Sequence, residues 1–471
     1  MTSFSAVRTT GIYCRPGCGG RPHPENVTRY PLAAAAEAAG FRACFQCRPY
    51  RWPQTLDWSA PELVCRAVRL ILAGALDRAT ERDLGRQLGV SPRHLRRLFT
   101  THLGVTPDGL ARSARAHFAR RLLDDTDLSV LEIALAAGFG SVRQLNRTCH
   151  DVFRDSPRAL RARRRKADRL AADGGLPLRL GFAGPLDWPA LLRYFAARAI
   201  PGVEQVAGST YWRTIVVDGD PGVLELSPGR EGELLLVAHL PHWGELMHLA
   251  ARARRIASLD HDPNEASELL ARDRIVAPLL RARPGLRTPG TWDPFETGVR
   301  AILGQQVTVS AASTVAGRLV RRHGAPVAGL DELGLTHTFP APDTLAEADL
   351  DGLGLTRARQ DAIRAFARAV AEGAVRLDGS VALEPLVESL TAIGGLGEWT
   401  AHYVALRLGE RDAFPASDLG LRRALAALPG GSEAGLEQVA ERWRPWRALA
   451  ATHLWSAPRA DAPRVPRRRA A

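Results

Sequence analysis

The residues in this chain best suited to chemistry are four cysteines gathered near its amino terminus. Cys14 and Cys18 are spaced C-x-x-x-C in CRPGC, and Cys44 and Cys47 are spaced C-x-x-C in CFQC. Each pair lies in a knuckle rich in Gly, Pro or Arg that can fold two thiolates around one ion, and four soft donors select tetrahedral zinc. Zinc thiolates stay nucleophilic at neutral pH without a base. Residue chemistry alone therefore allows two roles for the cluster, a staple for a small core or an acceptor of an electrophile. A carboxylate is the second candidate. Asp418 in FPASD follows Trp399 of IGGLGEWTA by nineteen residues. A glycine hairpin lets backbone amides approach a phosphate at a helix N-terminus, though Gly-x-Gly alone serves as readily as an ordinary tight turn, and the aspartate stands a helix and a loop further on.

These groups need elements to position them. With 471 residues the chain is long enough for three or four domains. Six cysteines, four of them clustered, point to reducing conditions and metal ligation rather than a disulfide framework. The sequence shows neither a signal peptide nor a membrane segment, so a cytoplasmic location is expected. Net charge is +13 and pI about 10.4, which fits a polyanionic partner, nucleic acid before membrane, although arginine-rich composition would give the same sign. Lys166 is the single lysine.

PLAAAAEAAG reads as a short helix stopped by Gly40. TERDLGRQLGVSPRHLRRLFTTHLGVTP and SVLEIALAAGFGSVRQLNRTCHDVFRDSP echo each other as helix, glycine turn, helix and proline. Thr80 with Asp83 forms a capping box, and Ser91 with Pro92 opens the next helix. Leu84, Leu88, Leu95, Leu98 and Phe99 share one face, which leaves Arg93, His94, Arg96 and Arg97 outward and suited to the major groove. RALRARRRKADRL continues this helical region into a basic connector ending near Gly174. Beyond it, PLRLGF, RTIVVDGD, GVLELSPG and GELLLVAHL predict strands around the helix WPALLRYFAARA, and the rest is helical.

Residues 1–50, through RTTGIYCRPGC and AEAAGFRACFQCRP, resemble the zinc domain of Ada-type methyl phosphotriester repair proteins. The resemblance implies zinc on Cys14, Cys18, Cys44 and Cys47, with Cys14 taking a methyl group from a DNA phosphate; Arg15, Arg21, Arg42 and Arg48 are candidate phosphate contacts. Residues 57–165 resemble the AraC-type paired helix-turn-helix, whose readers map to Arg93, Arg96 and Arg97 in the first repeat and to Arg143, Gln144, Asn146 and Arg147 in the second. The alkylguanine methyltransferase expected next in Ada-type chains is missing, since no Pro-Cys-His-Arg motif occurs. Residues 178–458 instead resemble the helix-hairpin-helix DNA glycosylases of AlkA type, 3-methyladenine DNA glycosylase II.

That resemblance implies Asp418 as the catalytic carboxylate, Gly395 and Gly397 as the hairpin on the DNA strand, and Trp399, Tyr403 and Trp455 as aromatic pocket positions for a cationic base. Gln306 maps to the residue that fills the gap left by the flipped base, where some relatives have leucine. Lyase-type relatives carry a Schiff-base lysine at the position of Trp399, so water must attack the sugar. Carbonyls of Thr391, Ile393 and Leu396 are implied ligands of a monovalent cation.

The expected fold is multidomain and mainly α with α+β. It comprises a zinc domain (1–56), a double helix-turn-helix bundle (57–165), a basic linker (166–176), a β-rich AlkA-type N-terminal domain (177–285), an all-α helix-hairpin-helix glycosylase domain (286–458) and a basic disordered tail (459–471). Expected partners are alkylated and operator double-stranded DNA and RNA polymerase, with the chain a monomer and no membrane partner. The rival expectation is a regulator whose rear half binds damaged DNA with little catalysis.

Overall fold

The computed structural model describes residues 3–52, 60–170, 174–429 and 435–457. The boundary expected at 56/57, part of the connector and the expected tail lie outside the described residues.

Among the described residues, nine strands form two sheets: β1 Phe4–Val7, β2 Ile12–Cys14, β3 Val27–Tyr30 and β4 Arg42–Ala43, then β5 Leu176–Gly181, β6 Glu204–Ala207, β7 Thr210–Val217, β8 Asp220–Pro228 and β9 Glu233–His239. The first sheet has the order β3-β1-β2-β4. Its one parallel pairing, β2 with β4, sets Tyr13 opposite Ala43, and Cys44 N donates to the Tyr13 carbonyl at 3.0 Å. This pairing brings the two cysteine knuckles together. The helix Ala33–Ala38 stands between them, and Gly40 ends it at φ +91°. A left-handed residue there suits glycine alone among the common types.

The front helical body repeats one plan. Thr80 and Ser129 each close a capping box on the helices Glu81–Gln87 and Val130–Ala136, while Ser91 and Ser141 cap Pro92–Leu103 and Val142–Phe153. Between the repeats runs the helix Pro107–Asp125, which buries His117, Arg120, Asp124 and Asp125. Buried charges of this kind need partners, and they have them. Arg120 pairs with Asp124, and Arg51 reaches Asp124 at 3.1 Å and Asp125 at 2.6 Å. A further helix, Pro157–Ala162, closes this body and does not run on into the connector as the sequence led us to expect. It ends at Ala162, where Arg163 and Arg164 turn to Asp155 and Asp127 at 3.1 and 2.7 Å.

The second sheet is wholly antiparallel in the order β5-β9-β8-β7-β6, with Trp188–Arg198 against it. The edge strand β6 carries no alternation strong enough to have been read from sequence. One apolar cluster runs from Tyr13 and Ala36 through Leu122 and Phe153 to Leu178 and Leu236, joining both sheets to the front helices. Another fills the rear helices around Phe366 and Trp443. Across the seam, Arg69 meets Glu410 at 3.1 Å and His248 meets Asp77 at 2.8 Å. Among the described residues, no helix is long and apolar enough to cross a membrane.

Candidate functional site

In the front body the sulfurs of Cys14, Cys18, Cys44 and Cys47 all lie within 4.8 Å of one another, each half-buried. Cys14 ends β2, and Gly17 (φ +71°) turns the chain so that Cys18 N donates to the Arg15 carbonyl at 3.3 Å. Without a cation four thiols this close cannot all ionise. A shared hydrogen bond instead pushes Cys14 above the usual thiol range and Cys47 down to about 5. Four converging soft donors fit a tetrahedral zinc. The other two cysteines are buried, and burial pushes Cys149 up to about 12.

The arginines around the cluster divide. Arg21 is exposed, and Arg15 and Arg42 lie 4.8 and 4.7 Å from the rings of Trp52 and Phe45. Arg48 is not the phosphate contact we expected. It is buried and paired with Asp168 at 2.5 Å and Asp124 at 3.8 Å, so its charge is spent inside the protein.

On the helix Pro92–Leu103, Arg93, Arg96 and Arg97 line an exposed groove with Pro92 and Thr100. Arg96 pairs with Glu81 at 2.7 Å, so its guanidinium is already engaged by a buried carboxylate. On the helix Val142–Phe153, Arg143 and Arg147 are exposed, Gln144 accepts from Gly140 N at 3.0 Å, and Asn146 donates to the Val142 carbonyl at 3.2 Å.

In the rear half a cleft of about 420 Å³ gathers Trp399, Tyr403, Asp418 and Trp455. Asp418 caps the helix Leu419–Ala426: Oδ1 accepts from Leu421 N at 2.8 Å and from Trp455 Nε1 at 2.9 Å, and Oδ2 accepts from Trp399 Nε1 at 2.8 Å. Three N–H donors thus fix both carboxylate oxygens. Tyr403 stacks on Trp399 at 5.3 Å and 14° and meets Trp455 edge-on at 6.3 Å. The rings expected as pocket walls are therefore also, in two cases, the groups that orient the acid.

The hairpin glycines serve different ends. At Gly395 (φ +88°) a Cβ would come within 2.9 Å of Ala362, whereas at Gly397, which caps Glu398–Arg407, it would meet nothing within 4 Å. Gly395 admits a neighbouring helix, and Gly397 leaves the helix N-terminus open. Gln306 sits exposed at φ +54° between Pro294–Leu303 and Val309–His323. Its neighbour Gln305 turns inward and donates to the Gly395 carbonyl and Thr400 Oγ1, both at 3.0 Å, tying that loop to the hairpin.

Sequence reasoning missed three residues of this cleft. Tyr194 and Arg198 enter from the helix Trp188–Arg198 beside the second sheet, and Arg407 lies one turn beyond Tyr403. A charged cluster also went unread: Arg213 meets Glu296 at 2.7 Å, and Arg300 meets Glu204 at 2.7 Å and Glu296 at 2.9 Å. Only the i, i+4 spacing of Glu296 and Arg300 could have signalled it.

Four families match along the chain: the metal binding domain of Ada over residues 2–50, a helix-turn-helix domain over 84–163, the AlkA N-terminal domain over 177–293, and the HhH-GPD superfamily of base excision DNA repair proteins over 299–448. The chain is 42% identical over 459 residues, 96% of its length and 92% of the relative's, to a probable bifunctional transcriptional activator/DNA repair enzyme AlkA of Mycobacterium tuberculosis. It is 35% identical over 284 residues, 59% of its length and 95% of the relative's, to DNA-3-methyladenine glycosylase 2 of Escherichia coli K12. A solved 3-methyladenine DNA glycosylase from Archaeoglobus fulgidus shares the fold, covering 59% of this chain and 97% of its own at a TM-score of 0.51 and 24% identity.

Proposed function

We propose that this chain, which belongs to the family of the bifunctional transcriptional activator/DNA repair enzymes AlkA, acts chemically on alkylated DNA at both ends. Its rear half is a 3-methyladenine DNA glycosylase II that hydrolyses the bond between an alkylated purine and deoxyribose. Its front half accepts methyl groups from DNA phosphotriesters, and the helix-turn-helix pair binds DNA.

The observation that carries the glycosylase reading is the carboxylate of Asp418, held by Trp399, Trp455 and Leu421 N–H groups inside an aromatic cleft. A carboxylate already oriented for sugar charge needs no rearrangement as the bond breaks. The faces of Trp399, Tyr403 and Trp455 receive the flipped cationic base, Gln306 occupies the space it leaves, and Gly395 and Gly397 seat the strand. Water completes the reaction. Lys166 lies in a turn whose Asp168 pairs with Arg48 of the front body, so no lysine serves the cleft and the abasic site is left uncut. Carbonyls of Thr391, Ile393 and Leu396 are offered to a monovalent cation in the turn that Leu396 N closes on Ile393 O at 3.1 Å.

Zinc on Cys14, Cys18, Cys44 and Cys47, when bound, supplies the charge that keeps the sulfurs as thiolates. Cys14 attacks the methyl carbon: its sulfur–carbon bond forms, the carbon–oxygen bond breaks, and the electron pair stays on the phosphate oxygen. The cysteine cluster loses one negative charge, which favours DNA and makes methylation a switch for the activator. Arg93, Arg96, Arg97, Arg143, Gln144, Asn146 and Arg147 read the operator. Two reading helices in one chain let a monomer occupy it, and RNA polymerase is the partner an activator recruits. A reducing cytoplasm suits the thiols.

Incubating the protein with DNA carrying labelled methyl groups tests both ends at once. Released 3-methyladenine and a methyl on the Cys14 peptide are expected. Methyl on the protein with no released base would leave a regulator that only binds damaged DNA.

A further inference from the structure

The loop between the helices Pro294–Leu303 and Val309–His323 carries a strained residue. Gln306 stands at φ +54°, in the left-handed region, with its side chain exposed and hydrogen-bonded to none of the described residues. A residue with a Cβ persists there only where its surroundings over-determine it. Both flanks of Gln306 are fixed. Further on, Thr308 caps the second helix, its Oγ1 accepting from Ala311 N at 3.2 Å. Just before it, Gln305 is held three times over: Nε2 donates to the Gly395 carbonyl and to Thr400 Oγ1, both at 3.0 Å, and the Gln305 carbonyl accepts from Arg359 NH2. The Gly395 carbonyl can only accept, which sets the amide this way round.

Those partners belong to the working parts of the rear half. Thr400 is 2% exposed and follows Trp399, whose indole holds Asp418. Arg359 lies in the helix Arg357–Ala371, the same helix whose Ala362 leaves no room for a Cβ at Gly395. Gly304 and Val307, on either side of the Gln305–Gln306 pair, line the cleft.

Resting on the glycosylase reading, and on Gln306 as the residue that fills the space left by the flipped base, we propose that Gln305 is a positioning residue: it clamps this loop to the hairpin so that Gln306 projects in its strained form before DNA arrives. Seating the strand on Gly395 and Gly397 then brings the wedge to the stack in one step, with no loop left to order. A polar wedge gains little by leaving water, so its leverage on the stack comes from being already in place.

Single-turnover release of 7-methylguanine by the full chain from two duplexes tests this, one with the lesion paired to cytosine and one with it opposite a three-carbon spacer, where there is no partner to unpair. Gln305→Met keeps the length and loses both side-chain hydrogen bonds. Release from the paired lesion should fall about tenfold and from the unpaired lesion less than about threefold, whereas a merely structural loss would lower both alike. Gln306→Gly, which adopts the left-handed conformation without strain, should lower the paired to unpaired ratio while its melting midpoint stays level or rises. In the double variant the ratio should be that of Gln306→Gly alone, because a clamp with no wedge to hold has no further effect. Thr400→Val removes one acceptor only; it should lower the ratio about threefold, and it carries the test if Gln305→Met does not fold. Equal falls on both duplexes, no fall on either, or full additivity in the double variant overturns the proposal, and an unchanged ratio in Gln306→Gly overturns the wedge and its clamp together. Absence of base release from the unsubstituted chain overturns the glycosylase reading instead.

Discussion

In the function proposed, Cys14 and Asp418 both act on DNA, yet the protein builds their surroundings in opposite ways. Cys14 lies at the end of a three-residue strand, and its three sulfur neighbours come from loops within about thirty residues of it. Asp418 is oriented by Leu421 from its own helix, by Trp399 nineteen residues before it and by Trp455 thirty-seven after it, in a cleft that the helix Trp188–Arg198 also walls. The first site is organised by donor chemistry and short loops, the second by tertiary packing. A thiolate that bonds to its target needs access, whereas a carboxylate that works through its field needs fixed position and exclusion of water.

The sharpest way to break this contrast is to remove each group separately. Cys14→Ser should abolish methyl acceptance on its peptide, read by mass spectrometry, and weaken zinc, while base release continues at the rear. Loss of both activities would mean that the sites are not independent. Asp418→Asn keeps the shape and removes the charge, so base release should fall by at least about 100-fold with methyl transfer and binding of damaged DNA retained. Trp399→Phe sharpens the point about packing: a ring remains but the N–H to Asp418 Oδ2 is lost, and release should drop about tenfold, the worth of one hydrogen bond to a charged group. If Trp399→Phe matches the unsubstituted protein, the indole serves only as a wall.

The smallest effect concerns the seam between front and rear. The hydrogen bond that His248 donates to Asp77 raises the His248 pKa against the opposing effect of burial. A raised histidine stabilises the fold fully below its unfolded value of about 6.5, and the gain is lost as pH rises through the folded value. Thermal melts on either side of that window should differ by about 1 kcal/mol or less from this pair, and Asp77→Asn should erase that share.

Legibility followed the same division. The cysteine quartet, the Thr80 box and the Ser91 cap could be read because each is local, and Asp418 with its aromatic neighbours could be read because motif spacing and resemblance agreed. The pairing of β2 with β4 could not, since a two-residue strand carries no pattern. Arg48 read as a DNA contact because its carboxylate partner Asp168 lies far along the chain from the cysteine motifs. Tyr194 was hidden for a related reason: WPALLRYFAARA reads as an ordinary half-buried helix, and only packing between domains turns that ring into the cleft.

Asp125 shows what this construction means for inheritance. Its carboxylate, almost wholly enclosed, is held by Arg51 at 2.6 Å from the cysteine-bearing body and by Arg179 at 2.8 Å from β5 of the rear half. A buried charge that loses a partner is costly. The two halves are therefore no longer interchangeable cassettes. A chimera that kept this front but took a rear without arginine at position 179 would carry a mismatch at its own junction, and recombination between relatives would succeed only where both sides of that bond travelled together.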